Sequence, residues 1–205
     1  MISEYLIISN VLTEEECLDS ITSIELDSSS QFNDGKVGEG DGESNHQIRS
    51  TKTKFIHRGR TTRPQLVELF RKIDAQVQEA NILHFDVDIS GGCYDVQTAL
   101  YLEKDKDYYS THVDSELFWY NLAPKAYIRK LSCTLYLSDD NNYSGGEISL
   151  LNMYGDEVIR DEDREFLNKR GNMLIFPSFL RHSVTPVTEG QRMSAVFWYM
   201  GRPWR

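Results

Sequence analysis

The sequence predicts a mainly β domain with flanking helices, and three observations support this class. The chain has 205 residues, a length that suits a single domain with a substantial hydrophobic core. Its second half is a series of short apolar segments separated by turn signals, which is typical of a β sandwich or barrel. Two segments of its first half instead repeat apolar residues at the spacing of an amphipathic helix.

One short strand and two helices are predicted in residues 1–81. The strand is Tyr5–Ile8. A capping box at Thr13–Glu16 indicates the start of the first helix, which is expected to end near Leu26. The second helix, Arg63–Ala80, has a proline in its first turn and an apolar stripe along one face. We expect residues 1–81 to form a helical N-terminal support for the β core.

Residues 27–50 are predicted to be a long, mobile loop. They are rich in Ser, Gly, Asp and Asn and contain few apolar residues. Loops of this length are usually either functional or disordered. Two interpretations stay open, a solvated excursion or a lid over a functional site.

Short strands are predicted through residues 82–205, which would form the β core of one domain covering 1–205. The expected strands are Leu83–Ile89, Tyr94–Leu102, Arg129–Leu137, Glu147–Leu151, Met173–Phe176, His182–Val187 and Met193–Met200. Gly145-Gly146 provides one of the turns between them. The acidic run Asp161–Glu165 is interpreted as a solvated turn.

Composition limits the classes of partner. The formal net charge is −10, which argues against broad binding to nucleic acids or anionic membranes, since both need a basic face. Three scattered cysteines without a CxxC motif favour a reducing compartment. The N-terminus lacks the basic and apolar regions of a signal peptide, and no apolar run approaches a membrane span. We therefore expect a cytoplasmic location.

The segment Thr111–Asp114 and a distant histidine carry the strongest chemical signal. His112 and Asp114 are two residues apart, so they share a face of an extended segment. His182 would join them across the cavity of a jelly roll. Two imidazoles and one carboxylate form the facial triad of non-haem Fe(II) oxygenases, although Zn, Mn, Co or Ni could occupy such a site in vitro. Taken singly, each histidine would be read as a surface or hydrogen-bonded core residue.

Arg192 lies in a predicted strand with apolar flanks. A charge inside a β cavity is unfavourable unless it is paired, and a carboxylate-bearing ligand would pair with it. The alternative is an arginine that faces solvent on an edge strand. Tyr101 and Tyr136 lie on neighbouring predicted strands, where they are either hydroxyl donors to the same ligand or core tyrosines. The other histidines, His46, His57 and His84, have no partners at ligand spacing and are interpreted as structural.

Together these motifs resemble the 2-oxoglutarate- and Fe(II)-dependent dioxygenase superfamily, and within it the prolyl 4-hydroxylase-like branch. The likeness extends over most of the chain. The similar segments are Val11–Cys17, Tyr101 with Tyr109 and His112–Asp114, Leu131–Leu137, Tyr143–Glu147, Phe176–Ser178, His182–Val187 and Gly190–Trp198. The segment Ser115–Ala126 matches no family pattern. Its aromatic residues, including Phe118, Trp119 and Tyr120, are interpreted either as a substrate platform or as loop packing.

The resemblance implies a double-stranded β-helix (jelly-roll) core with the N-terminal helices packed on one sheet. It also implies Fe(II), 2-oxoglutarate and O2 as reactants, and ascorbate as an accessory reductant. The implied roles are catalytic iron ligands for His112, Asp114 and His182, 2-oxoglutarate binding for Arg192, Tyr101 and Tyr136, and substrate binding for Arg129 and Trp198.

The resemblance implies that the protein is an enzyme, a hydroxylase that releases succinate and CO2. The leading hypothesis is 4-hydroxylation of a prolyl residue in a peptide or protein, as by procollagen-proline 4-dioxygenases. A second hypothesis keeps the oxygenase and changes the substrate to free proline, another amino acid or small molecule, or an alkylated base, which the acidic chain disfavours. A third is a non-catalytic β-sandwich binding module with a structural metal or none. Neither a nucleic acid nor a membrane is an expected partner.

Overall fold

The structure is a computed structural model that describes residues 3–36, 45, 47–115 and 127–204. The two helices are α1 (Glu14–Leu26) and α2 (Pro64–Ala80). The strands are β1 (Leu6–Ile8), β2 (Asn33–Asp34), β3 (Arg49–Ser50), β4 (Lys52–His57), β5 (Asp95–Leu102), β6 (Tyr108–His112), β7 (Ile128–Tyr136), β8 (Tyr143–Gly145), β9 (Ile148–Leu151), β10 (Met173–Pro177), β11 (Arg181–Val184) and β12 (Val187–Gly201).

These strands form two antiparallel sheets. The larger has the order β1-β10-β7-β12-β5-β4-β2, and β8 pairs with β12 outside this path. The smaller has the order β3-β6-β11-β9. Side chains of both sheets share two buried clusters. In one of them, Tyr136 and Phe176 of the larger sheet pack with Leu150 of the smaller. The predicted jelly-roll class is therefore confirmed.

The helices cover the outer face of the larger sheet. Alternate residues of the long strand β12, including Ala195 and Phe197, share the main core with the apolar stripe of α2. Phe70 of that stripe meets Phe197 edge to face, with ring centroids 6.4 Å apart. The capping box that was predicted at Thr13 forms at the start of α1. No helix in the described ranges is long and apolar enough to cross a membrane.

The opposite face of the larger sheet looks into the space between the sheets, and we call it the inner face. It carries the other set of β12 residues, Arg192, Ser194, Val196 and Trp198, because side chains alternate along a strand. Tyr101 and Tyr136 are their cross-strand neighbours on β5 and β7. The fold therefore concentrates the polar and aromatic residues of three central strands on one surface.

The strand that the sequence predicted at Leu83–Ile89 is wrong. A π-helical turn, Asn81–Phe85, continues α2 instead. The side-chain nitrogen of Asn81 donates to the Val87 backbone carbonyl at 2.9 Å, and the side-chain oxygen of Asn81 accepts from the Val87 backbone N–H at 3.1 Å. These two bonds use the backbone groups that a ladder would need, so the apolar residues here belong to a helix end.

The loop predicted at residues 27–50 contains strands in its described parts. β2 and β3 lie within that range, and β4, which the sequence did not predict, follows directly. With β1, the strands β2 and β4 extend the larger sheet, so the β core is not confined to residues 82–205. Residues 37–44 and 46 lie outside the described residues, so the interpretation of this loop as a lid stays a prediction.

The acidic run that was interpreted as a solvated turn forms a 3-10 helix, Asp161–Phe166.

Candidate metal centre and cofactor pocket

Three predicted metal ligands meet in the smaller sheet. His112 ends β6 and faces His182 of β11 across the ladder. Asp114 follows two residues after the end of β6. Each residue offers one ligand atom, and these atoms lie within 4.8 Å of one another. The Asp114 carboxylate is 3.8 Å from His112 Nε2 and 3.5 Å from His182 Nε2. Two neutral nitrogens and one carboxylate on one side of a cavity suit Fe(II).

Backbone contacts determine which nitrogen of each imidazole is free. His112 Nδ1 lies 2.9 Å from the Ser110 carbonyl, and His182 Nδ1 lies 3.0 Å from the Leu180 carbonyl. A carbonyl oxygen only accepts hydrogen bonds, so each Nδ1 carries the proton and each Nε2 keeps its lone pair for a metal. Burial, followed by the nearby His182, lowers the pKa of His112 to about 4. The His112 ring is therefore neutral at pH 7.

The Asp114 carboxylate is oriented by its neighbours. The Ser132 hydroxyl donates to Oδ2 at 2.7 Å, and the Trp198 indole donates to the same oxygen at 2.8 Å. The Asp114 backbone amide donates to the Ser178 carbonyl at 3.0 Å. Burial alone would raise the pKa of Asp114. The adjacent side chains of His182, His112 and Arg129, together with the Ser132 hydrogen bond, outweigh burial and lower the pKa. The carboxylate is thus ionised and held in one orientation, as a metal ligand must be.

Arg192 forms a second, adjacent site on the inner face. Its side chain is 1% exposed, and its guanidinium carbon lies 5.1 Å from the Tyr101 ring centroid and 5.4 Å from that of Tyr136. Nη1 donates to Ser194 at 3.3 Å. Arg192 Nε and the Tyr136 hydroxyl are buried without a hydrogen-bond partner in the described residues. A buried cation beside an unpaired hydroxyl fits a carboxylate ligand.

The alternative that Arg192 faces solvent on an edge strand is wrong. β12 pairs with β5 on one side and with β7 on the other, so it is a central strand.

Two residues of this pocket were not assigned from the sequence. Gly146, at φ +67°, lies so close that an added Cβ would be 2.7 Å from Arg192 Cδ. Burial raises the pKa of the Tyr143 hydroxyl, and the nearby charge of Arg192 opposes that rise. The Gly145-Gly146 pair was the available signal, but it indicated only a turn.

Arg129 and Trp198 lie at the edge of the metal centre. The Arg129 guanidinium carbon is 3.8 Å from the Trp198 ring centroid, and its Nη1 donates to the Asp114 carbonyl at 3.4 Å. The Arg129 side chain remains 38% exposed. The structure thus brings both residues to the site, in contact with a metal ligand. The aromatic residues Phe118, Trp119 and Tyr120 lie outside the described residues.

Two of the remaining histidines, His57 and His84, lie apart from this centre. His57 contacts the Asp95 carboxylate at 2.6 Å on β4 and β5. His84 lies in the π-helical turn, where its carbonyl accepts from the Ser3 amide. His46 is outside the described residues. Within the described ranges, the group of ligand-type side chains that could hold a metal consists of His112, Asp114 and His182.

Comparison with known families agrees with this geometry. The model of the 2OG-Fe(II) oxygenase superfamily matches residues 96–200, which is more than half of the chain. The chain belongs to the 2OG-Fe(II) oxygenase superfamily. This membership confirms the resemblance that the motifs indicated. It also confirms the prediction of Fe(II), 2-oxoglutarate and O2, because the donor set and the buried Arg192 both fit these reactants.

Curated relatives match a little under half of the chain. A PKHD-type hydroxylase of Xylella fastidiosa (strain M12) is 36% identical over 94 residues, 44% of this chain and 38% of that protein. Another, of Teredinibacter turnerae, is 37% identical over 91 residues, 44% of this chain and 36% of that protein. The matched region thus spans well under half the length of these relatives.

Solved structures share the fold over almost the whole chain. A Pseudomonas putida prolyl-4-hydroxylase aligns with a TM-score of 0.67 and 18% identity, covering 96% of this chain and 92% of that one. A Trichoplax adhaerens prolyl hydroxylase, solved with a peptide of the hypoxia inducible factor oxygen degradation domain, aligns with a TM-score of 0.72 and 19% identity. It covers 97% of this chain and 84% of that one. The fold is that of the prolyl 4-hydroxylase-like branch.

Proposed function

We propose that this chain is a 2-oxoglutarate- and Fe(II)-dependent oxygenase that hydroxylates a prolyl residue in a peptide or protein. The observation that carries the proposal is the pairing of two sites across one cavity. The triad His112, Asp114 and His182 offers metal ligands on the smaller sheet. On the larger sheet, Arg192 offers a buried cation that lacks a carboxylate partner in the described residues.

His112, Asp114 and His182 would hold the iron. When bound, Fe(II) and 2-oxoglutarate supply the oxidising chemistry, in which O2 hydroxylates a substrate C–H bond as 2-oxoglutarate becomes succinate and CO2. The protein's own contribution is positioning. The carbonyls that bond each Nδ1 fix both imidazoles, and Trp198 and Ser132 fix the carboxylate.

Arg192 would bind the carboxylate of 2-oxoglutarate that lies away from the metal. Its unpaired Nε and the Tyr136 hydroxyl are the donors that the pocket leaves free. Ala99, Val184 and Val187 pack with Tyr101 beside them and limit the access of water. A charge pair in such surroundings is stronger than in water, because less solvent screens it. This pocket selects a short dicarboxylic co-substrate.

Three observations support a peptide substrate. Arg129 remains partly exposed at the rim of the metal centre and stacks on Trp198, so a substrate can reach both. The solved neighbours are prolyl hydroxylases, one of them bound to a peptide. The net charge of −10 disfavours a nucleic-acid substrate. The curated relatives are PKHD-type hydroxylases, so the proposal does not extend to procollagen. Ascorbate as a reductant and a cytoplasmic location stay predictions.

The decisive experiment adds Fe(II) and then 2-oxoglutarate under anaerobic conditions and follows the weak visible charge-transfer band of the complex. We expect the band in the wild-type protein and in His57→Ala, a matched control outside the site, and no band in His112→Ala. Proline-containing peptides are then incubated with O2 and analysed by mass spectrometry for the gain of one oxygen atom. A folded wild-type protein without the band would refute the oxygenase, whereas a band without any hydroxylated peptide would refute the prolyl substrate.

A further inference from the structure

A buried arginine lies near the metal centre and has no ionic partner among the described residues. Arg49, on β3, is 5% exposed. Nε donates to the Thr51 hydroxyl at 3.0 Å, and Nη1 makes two long contacts of 3.5 Å, to the Lys36 carbonyl and to the Gln97 side chain. In the described residues, Nη2 has no hydrogen bond and no carboxylate lies within ion-pair distance of Arg49. A buried guanidinium in this state lacks part of the stabilisation that it had in water.

The surroundings of Arg49 are built to hold its side chain in place. A Cβ added at Gly35 would lie 2.7 Å from Arg49 Nε and 2.6 Å from Thr51 Oγ1, so only glycine leaves room for this arrangement. The guanidinium carbon lies 4.5 Å from the centroid of the Tyr109 ring. The Arg49 guanidinium is therefore a buried cation in a fixed position, unlike a flexible arginine on the surface.

Tyr109 connects Arg49 to the metal centre. Its ring also stacks on the His112 imidazole, with centroids 3.5 Å apart and 17° between the planes. Arg49 is thus separated from a metal ligand by one aromatic ring. A ligand group bound by Arg49 would be close to whatever reacts at the metal.

Arg49 is nevertheless distinct from the 2-oxoglutarate pocket. Its contact Gln97 lies on the inner face of β5, on the same side as Tyr101 but four residues away. Four residues of a strand span about 13 Å. Gln97 pairs with Val196, which lies between Arg192 and Trp198 on β12. Both carboxylates of 2-oxoglutarate would already have partners, one at the metal and one at Arg192, and none of the residues that contact Arg49 also contacts Arg192. Arg49 is therefore free to contact the other substrate.

We propose that Arg49 binds a carboxylate of the peptide substrate. This inference rests on the proposed function and names a feature of the substrate, an acidic group close to the hydroxylated proline. A carboxylate pairs with a guanidinium through two parallel hydrogen bonds, and Nη2 is available for this. Because the chain as a whole carries a net charge of −10, an acidic peptide needs a local cation of this kind.

The carboxylate can come from an Asp side chain or from the C-terminus of the peptide. The probes are therefore proline-containing peptides of one sequence that carry Asp or Asn near the proline, each as the free acid and as the C-terminal amide. Hydroxylation rates give KM and kcat. Binding of the same labelled peptides to the Mn(II) and 2-oxoglutarate complex, measured by fluorescence anisotropy, does not depend on turnover.

In the wild-type protein we expect the peptide with the recognised carboxylate to bind at least about tenfold more tightly than its neutral analogue. Arg49→Met should abolish this preference and raise KM for the acidic peptide at least about tenfold, while the charge-transfer band remains. Arg49→Lys should keep part of the preference, which separates lost charge from lost fold. Arg71→Met, an arginine of α2 with a 69% exposed side chain, is the matched control. Preference for Asp over Asn identifies a side-chain carboxylate, and preference for acid over amide identifies the C-terminus.

The inference is overturned if no peptide pair shows a preference, or if Arg49→Met retains it. Failure of the proposed function gives a different pattern. If the peptides bind with an Arg49-dependent preference but no peptide gains oxygen, the prolyl chemistry is refuted and the anionic subsite stands. If hydroxylation proceeds without any dependence on Arg49, the enzyme stands and the subsite is refuted.

Discussion

Gly146 shows how one missing side chain shapes the co-substrate pocket. A Cβ at this position would lie 2.7 Å from Arg192 Cδ and 3.1 Å from Val187 Cγ2. Arg192 would have to move away from the ligand that it is proposed to bind. We expect Gly146→Ala to weaken 2-oxoglutarate binding at least about tenfold, or about 1.4 kcal/mol, as measured by titration of the charge-transfer band. Iron binding should be retained.

Gly155→Ala is the matched control for that substitution. Both glycines have positive φ, so both variants carry a similar backbone penalty of about 1–2 kcal/mol. The nearest atom to a Cβ at Gly155 is Arg181 Nη2 at 3.5 Å, an ordinary contact. Equal loss of 2-oxoglutarate affinity in both variants would mean that backbone strain, and not displacement of Arg192, limits binding.

Trp198 is expected to act on iron through Asp114. Its indole nitrogen donates to Asp114 Oδ2 at 2.8 Å, and partners of this kind typically contribute about 10–100-fold to metal affinity. Trp198→Phe keeps an aromatic ring and removes the donor, so Fe(II) affinity measured by anaerobic titration should fall within that range. Trp204→Phe, at a tryptophan that packs on Phe179 and Lys130, should leave it unchanged. Unchanged affinity in Trp198→Phe would assign orientation of the carboxylate to Ser132 alone.

At this scale the sequence predicts ligand identity better than ligand orientation. The proposed ligands His112, Asp114, His182 and Arg192 could all be selected from residue type and spacing. Their partners could not, because Ser178 and Ser132 act through a backbone carbonyl and a hydroxyl that many other serines could offer. Arg49 escaped notice for a similar reason, since it lies in a polar segment where an arginine is expected to be exposed.

Among the elements, β4 stabilises α1 as well as the larger sheet. Lys54 of β4 donates to the carbonyls of Ile24 and Asp27, both at 2.6 Å, and is 3% exposed. These carbonyls lie at the end of α1, where the last turn has no basic residue. A buried ammonium thus satisfies acceptors that the helix leaves unpaired.

We expect Lys54→Met to destabilise the protein by about 1–3 kcal/mol, because it leaves these buried carbonyls without a donor. Urea denaturation followed by circular dichroism measures the change. Lys52→Met, two residues away on the same strand, removes a 39% exposed side chain that pairs with Asp34. That control should cost less than about 1 kcal/mol. Similar losses in the two variants would contradict a capping role for Lys54.

Three of the strands that the sequence missed share one physical cause. β2, β3 and β4 are polar strands whose hydrogen bonds come from partners far along the chain, β5 and β6 among them. Apolar periodicity does not reveal such strands, because backbone pairing and buried polar contacts hold them. The helices α1 and α2, in contrast, carried both a capping signal and an apolar stripe, and both begin and end within a residue of their predicted limits.

For the whole molecule, the proposed reactants lie where the two sheets meet. Of the proposed metal ligands, His112 and His182 lie on β6 and β11 of the smaller sheet, and Asp114 follows β6. The proposed 2-oxoglutarate pocket is formed by residues of β12, β5 and β7 of the larger sheet. The strand pattern predicts a β sandwich or barrel, and the family resemblance adds the jelly roll. The assignment of each proposed ligand to a sheet depends on long-range pairing that no local pattern contains.

This division of ligands predicts that 2-oxoglutarate stabilises the fold more than the metal alone does. The metal would be held by β6, β11 and the residue two positions after β6, whereas 2-oxoglutarate bound to the metal and to Arg192 would add a direct connection to β12 of the larger sheet. At 100 times its dissociation constant a ligand contributes about 2.7 kcal/mol, so anaerobic thermal denaturation should show a first rise in Tm with Mn(II) and a second with 2-oxoglutarate.

Two variants separate these steps. His182→Ala should abolish both rises, because 2-oxoglutarate then lacks its metal anchor. Arg192→Met should keep the rise with Mn(II) and lose the second. If 2-oxoglutarate raised the Tm of His182→Ala as much as that of the wild-type protein, its binding would not involve the metal, and the link between the sheets through the triad and Arg192 would be refuted. Persistence of the second rise in Arg192→Met would instead place the dicarboxylate elsewhere in the cavity, against the proposal that this buried arginine is its partner.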